Sequence, residues 1–302
     1  MVIKTGVIGL STGNGHPFSF SAIINGYNKS AFLKSGWNVI YDYLETKTKD
    51  NFGINGVRVT HAWTQDKIIT KQLCEACNIE NNCSSVDEMY DQIDALIVAR
   101  DDWNNHKKYA LPFLKKNIPV FIDKPLTLDL EELNTFKSYI LQNKLMSCSG
   151  FRFSSELDSL RDLNITKNIK LINGTVLNDL EKYGIHILDA IAGIGISFKH
   201  IKTITRLNST LDSFTIILKN NIQINLYCLG KVAKTFHMSI FTNNFHKHYN
   251  LHDNFEAFRR TLINFFNMVK YNSLTFDPLE TIYLMELMIK LKKLNKGETL
   301  FF

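Results

Sequence analysis

The chain of 302 residues is defined first by what it lacks. No apolar run approaches the roughly 20 residues that a membrane-spanning helix needs, so no membrane role is expected. Nor is there a basic block. Lys and Arg fall singly or in pairs, such as Lys115-Lys116 and Lys292-Lys293, although the net charge is +6. A nucleic-acid surface would want a basic stripe with aromatic platforms, so a nucleic-acid partner is not expected. The first residues, Met1-Val2-Ile3-Lys4-Thr5-Gly6, read as a strand and not as a signal peptide. Five cysteines, an odd number, fit a reducing compartment, and the expected location is cytoplasmic. Cys74 and Cys77, with Cys83 beyond them, have no second pair at zinc spacing. They lie in a helical pattern and read as small residues packed on one face, so no metal is expected. Internal repeats and low-complexity linkers are also missing.

What remains is an ordinary globular composition, 45% hydrophobic and 21% charged, with enough length for one or two domains. Residues 1–125 alternate strands and helices: strands end at Leu10, Trp63, Ala99 and Ile122, with helices after each of the first three. Repeated βα units predict an α/β fold, a Rossmann-like doubly wound parallel sheet that takes ligands outside the strand carboxyl ends. Residues 28–55 read as an insertion in which Trp37 and Tyr41 pack on the surface or over the ligand, and Glu45–Asp50 is a solvated face. Residues 126–153 cross back through a helix, 129–143, and a strand, 146–153. Residues 126–302 then predict an α+β domain with a largely antiparallel sheet, for substrate binding and oligomerisation. Its strands are 169–177, 201–207, 213–218, 222–229 and 235–242, and two helices, 255–271 and 278–294, close it. The alternation in Phe214-Thr215-Ile216-Ile217-Leu218 suggests an exposed apolar face and a homodimer or homotetramer.

The chemistry is concentrated at a few points. The loop Gly9-Leu10-Ser11-Thr12-Gly13-Asn14-Gly15-His16-Pro17 joins the first strand to the first helix, where free N–H groups favour a phosphate. Its glycines fall at Gly13 and Gly15, whereas a dinucleotide fingerprint counted from Gly9 would place them at Ser11 and Asn14. Cofactor contacts are therefore expected from Gly9, Ser11, Gly13, Asn14, Gly15 and His16, with a merely tight turn as the competing reading. The second strand leads to Thr64 where a ribose-binding carboxylate is usual, which leaves NAD and NADP undistinguished. Ala99, Arg100 and Asp123 end the next strands and are further cofactor candidates; Asp101, Asp102 and His106 lie nearby.

Lys124 follows a buried strand and precedes Pro125, which disfavours helix at the lysine. A lysine at that strand end could hold or exchange a hydroxyl proton; a solvated strand-end lysine is the plainer alternative. His186 stands on a helix spanning 183–192, with Asp189 three residues on and Tyr183 three before. It reads either as an acid/base group or as a structural histidine. Arg152 could meet an anionic substrate group or a surface carboxylate. Lys124 and His186 on separate elements could converge on one hydroxyl.

Together these residues resemble the glucose-fructose oxidoreductase / inositol dehydrogenase family (Gfo/Idh/MocA), over nearly the whole chain. Asp123-Lys124-Pro125 looks like its Glu-Lys-Pro motif, and Gly184-Ile185-His186-Ile187-Leu188-Asp189 like its Gly-x-His-x-x-Asp motif. Lys182 stands where the family often has an aspartate, and Ala99-Arg100-Asp101-Asp102 replaces its Thr-Pro turn. The resemblance implies hydride transfer between the nicotinamide of NAD or NADP and a sugar, sugar acid or nucleotide-linked sugar. Lys124 and His186 would be catalytic, and Lys124, Arg152, Tyr183, His186 and Asp189 would bind substrate. Two alternatives remain: a catalytically inactive accessory or sensor that binds nucleotide or sugar, and a non-redox epimerase or lyase that uses the cofactor transiently.

Overall fold

A computed structural model describes residues 2–161 and 168–302. The first sheet has six strands in the order β3-β2-β1-β4-β5-β6. They are β1 (Ile3–Ile8), β2 (Val57–Trp63), β3 (Asn81–Asn82), β4 (Ala95–Val98), β5 (Val120–Ile122) and β6 (Leu145–Ser147). Every pairing in it is parallel. β4 and β5 are apolar throughout and fully buried, as strands covered on both faces must be. The strand order reverses between β1 and β4, the switch point beside which parallel sheets bind ligands.

Helices α1 (His16–Asn25), α4 (Lys67–Ala76) and α5 (His106–Lys115) follow β1, β2 and β4. Between α1 and β2 the added residues form α2 (Lys29–Lys34) and α3 (Asn38–Glu45). Trp37 packs near the ring of Phe18, centroids 6.1 Å apart, and against Gly15. The cysteines of α4 and its flank are buried. Burial pushes the Cys74 thiol up to about 12, and Cys77 well above its ordinary value, so they are packing groups and not nucleophiles.

The second sheet runs β12-β11-β7-β10-β9-β8-β13. Its strands are β7 (Ile169–Val176), β8 (Ile201–Arg206), β9 (Asp212–Leu218), β10 (Gln223–Cys228), β11 (Phe236–Thr242), β12 (His246–Asn250) and β13 (Thr299–Phe301). Only the β7–β10 pair is parallel among its recorded pairings. Helices α6 (Leu130–Leu141), α7 (Ile185–Gly193), α8 (Asn254–Tyr271) and α9 (Leu279–Lys293) complete the described helices. No helix among the described residues is long and apolar enough to cross a membrane.

By internal contacts the chain forms two compact units. The first comprises 1–126, 135–147 and 258–275; the second comprises 127–134, 148–257 and 276–302.

Four expectations change. The strand expected over 146–153 stops at Ser147, because Ser149 accepts the Phe151 N–H and turns Gly150–Phe153 into a 3₁₀ turn. The helix expected from Tyr183 opens instead as a wide π turn, Leu180–Gly184, capped by Asp179 on the Lys182 N–H. The expected exposed apolar face of 214–218 is reversed: Phe214, Ile216 and Leu218 are buried. The opposite face of that sheet carries a polar chain in which Thr215 donates to Asn225, and Asn225 donates to Asn173. The short strands β3, β12 and β13 were not expected, since two or three residues, or the His-rich 246–250, carry no apolar alternation.

Candidate functional site

In the first unit the loop after β1 is set by packing before it is set by any ligand. A Cβ on Gly9 would lie 2.3 Å from Pro17 Cγ, and one on Gly15 would lie 2.4 Å from Ile40 Cδ1. Those two glycines let β1 meet α1 and let the loop meet α3. Gly13 is different: its φ is +77°, and nothing lies within 4 Å of its Cβ position. The N–H groups of Thr12, Gly13 and Gly15 meet no hydrogen-bond acceptor among the described residues. Three such donors at the mouth of α1 fit an anionic phosphate.

The side chains of the loop are turned onto neighbouring strand ends. Ser11 donates to Asp101 Oδ1 at 2.5 Å and accepts the Asp101 N–H at 3.1 Å. Asn14 donates to Asp123 Oδ2 at 3.1 Å, and His16 Nδ1 lies 2.5 Å from the same oxygen. Gln65 brackets Leu10, accepting from its N–H at 3.0 Å and donating to its carbonyl at 2.7 Å.

Arg100 donates to both oxygens of Asp102 at 2.8 and 2.6 Å, donates to Gln65, and stacks on Tyr109. Ala99 is fully buried and its N–H is spent on Ile8 O. His106 is also fully buried, and each ring nitrogen lies 2.8 Å from a carbonyl, one of Arg100 and one of Leu126. That ring ties the end of β4 to the segment after Lys124. Thr64 does not present its hydroxyl for a ribose: it donates to Asp66 O at 2.7 Å and pairs with Thr70 at the start of α4.

Lys124 is 5% exposed, and its Nζ lies 4.0 Å from Asp101 Oδ2. Its peptide bond to Pro125 is cis, and its N–H donates to Asp123 Oδ1. For Asp123, burial alone would raise the carboxyl. The charge and hydrogen bond of His16, with Lys124 and Asn14, outweigh that and hold it well below the usual carboxylate range. The carboxyl is therefore held in its ionised form by the groups around it.

In the second unit His186 and Asp189 share one face of α7, three residues apart. His186 Nδ1 lies 2.6 Å from Ser149 Oγ. Its ring is walled by Phe151, Tyr183 and Phe236, with centroids 5.6, 5.7 and 5.3 Å away. Asp189 accepts the Ser149 N–H at 2.6 Å and Arg152 Nε at 2.8 Å. Burial pushes the Asp189 carboxyl up, against the opposing pull of Arg152. The guanidinium of Arg152 also lies over the Phe276 ring at 4.5 Å. Gly193 gives this assembly its room, since a Cβ there would sit 2.1 Å from Arg152 O.

The expected residues thus fall into two groups. Gly9, Ser11, Gly13, Asn14, Gly15, His16, Ala99, Arg100, Asp123 and Lys124 gather at the β1, β4 and β5 ends. Arg152, Tyr183, His186 and Asp189 gather around α7, with Arg152 and Asp189 facing each other. Sequence reasoning missed Gln65, Ser149 and Phe236, which are ordinary residue types whose partners lie 37 to 55 positions away.

Residues 32–151 match the model of an oxidoreductase family with an NAD-binding Rossmann fold. Over that span the chain is similar to that family. The matched span takes in Lys124 but neither the glycine loop nor His186. Among solved structures, scyllo-inositol dehydrogenase from Lactobacillus casei, with bound cofactor NAD(H) and scyllo-inositol, is similar at 14% identity. That match covers 97% of this chain and 96% of that one, with a TM-score of 0.74. A myo-inositol dehydrogenase from Corynebacterium glutamicum matches at 13% identity, over 100% of this chain and 99% of that one, TM-score 0.73. UDP-N-acetylglucosamine 3-dehydrogenase from Acidithiobacillus ferrooxidans matches at 13% identity, over 96% and 97%, TM-score 0.69. At such identities the likeness is one of fold. No curated protein matches.

Proposed function

We propose that the chain is an NAD(P)-dependent oxidoreductase acting on a CH–OH group of a sugar, sugar acid or nucleotide-linked sugar. The observation that carries this reading is Lys124. It is a nearly sealed lysine at the carboxyl end of β5, paired with Asp101, inside the span that matches an NAD-binding Rossmann family. The carbohydrate class is supported by the inositol and UDP-sugar dehydrogenases that share the fold.

The donors of Thr12, Gly13 and Gly15 would hold the dinucleotide phosphates. When bound, the nicotinamide supplies the hydride acceptor or donor. The work of this chain's own residues is with the proton. Lys124 exchanges the proton of the reacting hydroxyl, oriented by the carboxylate of Asp101 beside it. His186 is the second residue proposed to handle the hydroxyl proton, and its aromatic walls hold the ring in one orientation.

Lys124→Met tests this. Turnover should fall by about 10²-fold or more, while the thermal shift given by NAD or NADP stays near that of the parent. Full turnover in the variant would sink the scheme. A second reading, a nucleotide- or sugar-binding accessory without turnover, is favoured by the glycine loop, whose side chains are spent on Asp101 and Asp123. It is distinguished by ligand-induced stabilisation with no absorbance change at 340 nm for any sugar tried.

A further inference from the structure

The contact between Ser149 and His186 fixes where the imidazole carries its proton, and through that whether His186 meets a substrate as donor or as base. This step rests on the reading of His186 as a group that meets substrate. Ser149 is fully buried. Its Oγ accepts the Phe151 N–H at 3.2 Å and lies 2.6 Å from His186 Nδ1. A serine hydroxyl has one proton to give, and burial makes leaving it unused costly. Among the described residues, Nδ1 is the acceptor within its reach.

We infer that Ser149 donates to Nδ1, so that the neutral imidazole of His186 carries its proton on Nε2. The opposite arrangement would have Nδ1–H donate to Oγ. The hydroxyl would then accept twice, and its own proton would be stranded in a sealed place. The geometry is braced on both sides. The Ser149 N–H donates to Asp189, one turn along the same face of α7, and Asp189 is held by Arg152. Ser149 is thus a positioning residue that selects a tautomer, as the partner of the second ring nitrogen does in other histidine sites.

The consequence is mechanistic. With Nε2 protonated, His186 meets the substrate oxygen as a hydrogen-bond donor and not as a base. That N–H would stabilise the charge that gathers on a substrate oxygen as a hydroxyl is oxidised, and would polarise a carbonyl in the reverse direction.

The assignment is tested on the full chain labelled with ¹⁵N-histidine, at a pH where the ring is neutral. The His186 resonances are identified by their loss in His186→Gln. A protonated Nε2 with a bare Nδ1 is expected; a protonated Nδ1 overturns the inference. This readout needs no turnover, so it stands or falls apart from the proposed reaction. If His186→Gln retains full activity, the reading of His186 as a substrate group fails, while the tautomer result is untouched. Ser149→Ala completes the test: kcat should fall about ten- to a hundredfold with an altered kcat–pH profile and an unchanged KM for cofactor. Parental kcat and pH profile in that variant would overturn the positioning role.

Discussion

Asp123 and Asp189, one in each unit, are equally sealed, at 2% and 1% exposure, yet their surroundings push them in opposite directions. Burial is the largest influence on both and raises both. Asp123 has His16 and Lys124 beside it and an amide donor from Asn14, and ends up lowered. Asp189 has one cation, Arg152, and one peptide N–H, and ends up raised. The count of compensating groups, not the depth of burial, decides the sign. Physically, the first unit carries a carboxylate that is charged and neutralised beside the loop expected to hold phosphates. The second unit carries a carboxylate whose task is to hold Ser149 and Arg152 still.

The comparison breaks most visibly at Arg152. Removing one member of a buried pair strands the other, at about 3–5 kcal/mol. Arg152→Leu should therefore lower the urea midpoint severely. The double variant Arg152→Leu with Asp189→Leu should recover most of that loss, because an apolar pair of similar size needs no compensation. A single variant within about 1 kcal/mol of the parent would mean that water reaches Asp189 after all.

A gentler test is pH. Stability rises with pH wherever the unfolded chain holds more protons than the folded one. Asp123 has a folded pKa below the unfolded value of about 3.9. Its contribution is complete above about pH 4 and is lost as acid drives pH toward the folded value. Asp189 has a folded pKa above the unfolded value, so the folded chain keeps the proton longer. Its contribution is greatest in acid and is lost as pH rises through the window above about 4. Denaturant midpoints measured across this range should show Asp123→Asn flattening the acid limb. The difference curve for Asp189→Asn should slope the other way. Two curves of the same slope would refute the contrast.

The two halves were unequally legible in the sequence. The parallel sheet was readable because β1, β2, β4 and β5 are apolar runs bounded by helix patterns, a local signal. Lys124 was readable because a strand end followed by proline places it without further information. The loop was read only in part: Gly9 and Gly15 look like cofactor glycines but answer to Pro17 and to Trp37 with Ile40. Thr64 likewise looked available until Thr70 and Asp66 took its hydroxyl. The support of His186 was not readable at all. Ser149 lies 37 residues from its partner, and the strand expected over it ends two residues earlier, where the backbone turns to accept the cap. Side-chain caps and long-range hydrogen bonds leave no periodicity, so the fold was more legible than the chemistry that depends on them.

The smallest effect separates the glycines of the loop. Gly15→Ala forces a Cβ against Ile40 and Trp37, an overpacking worth about 1–3 kcal/mol that lowers Tm without ligand. The thermal shift given by NAD or NADP should survive, since that Cβ points into protein. Gly13→Ala meets no protein atom, and its left-handed φ costs about 1–2 kcal/mol. Its methyl instead enters the open side of the loop, where the free N–H groups of Thr12 and Gly13 lie, so the ligand-induced shift should shrink more than the Tm of the free protein falls. Should Gly15→Ala abolish the shift while Gly13→Ala keeps it, the phosphate would have to sit on the α3 side of the loop. The inserted helices would then belong to the cofactor and not merely to the packing of β1 on α1.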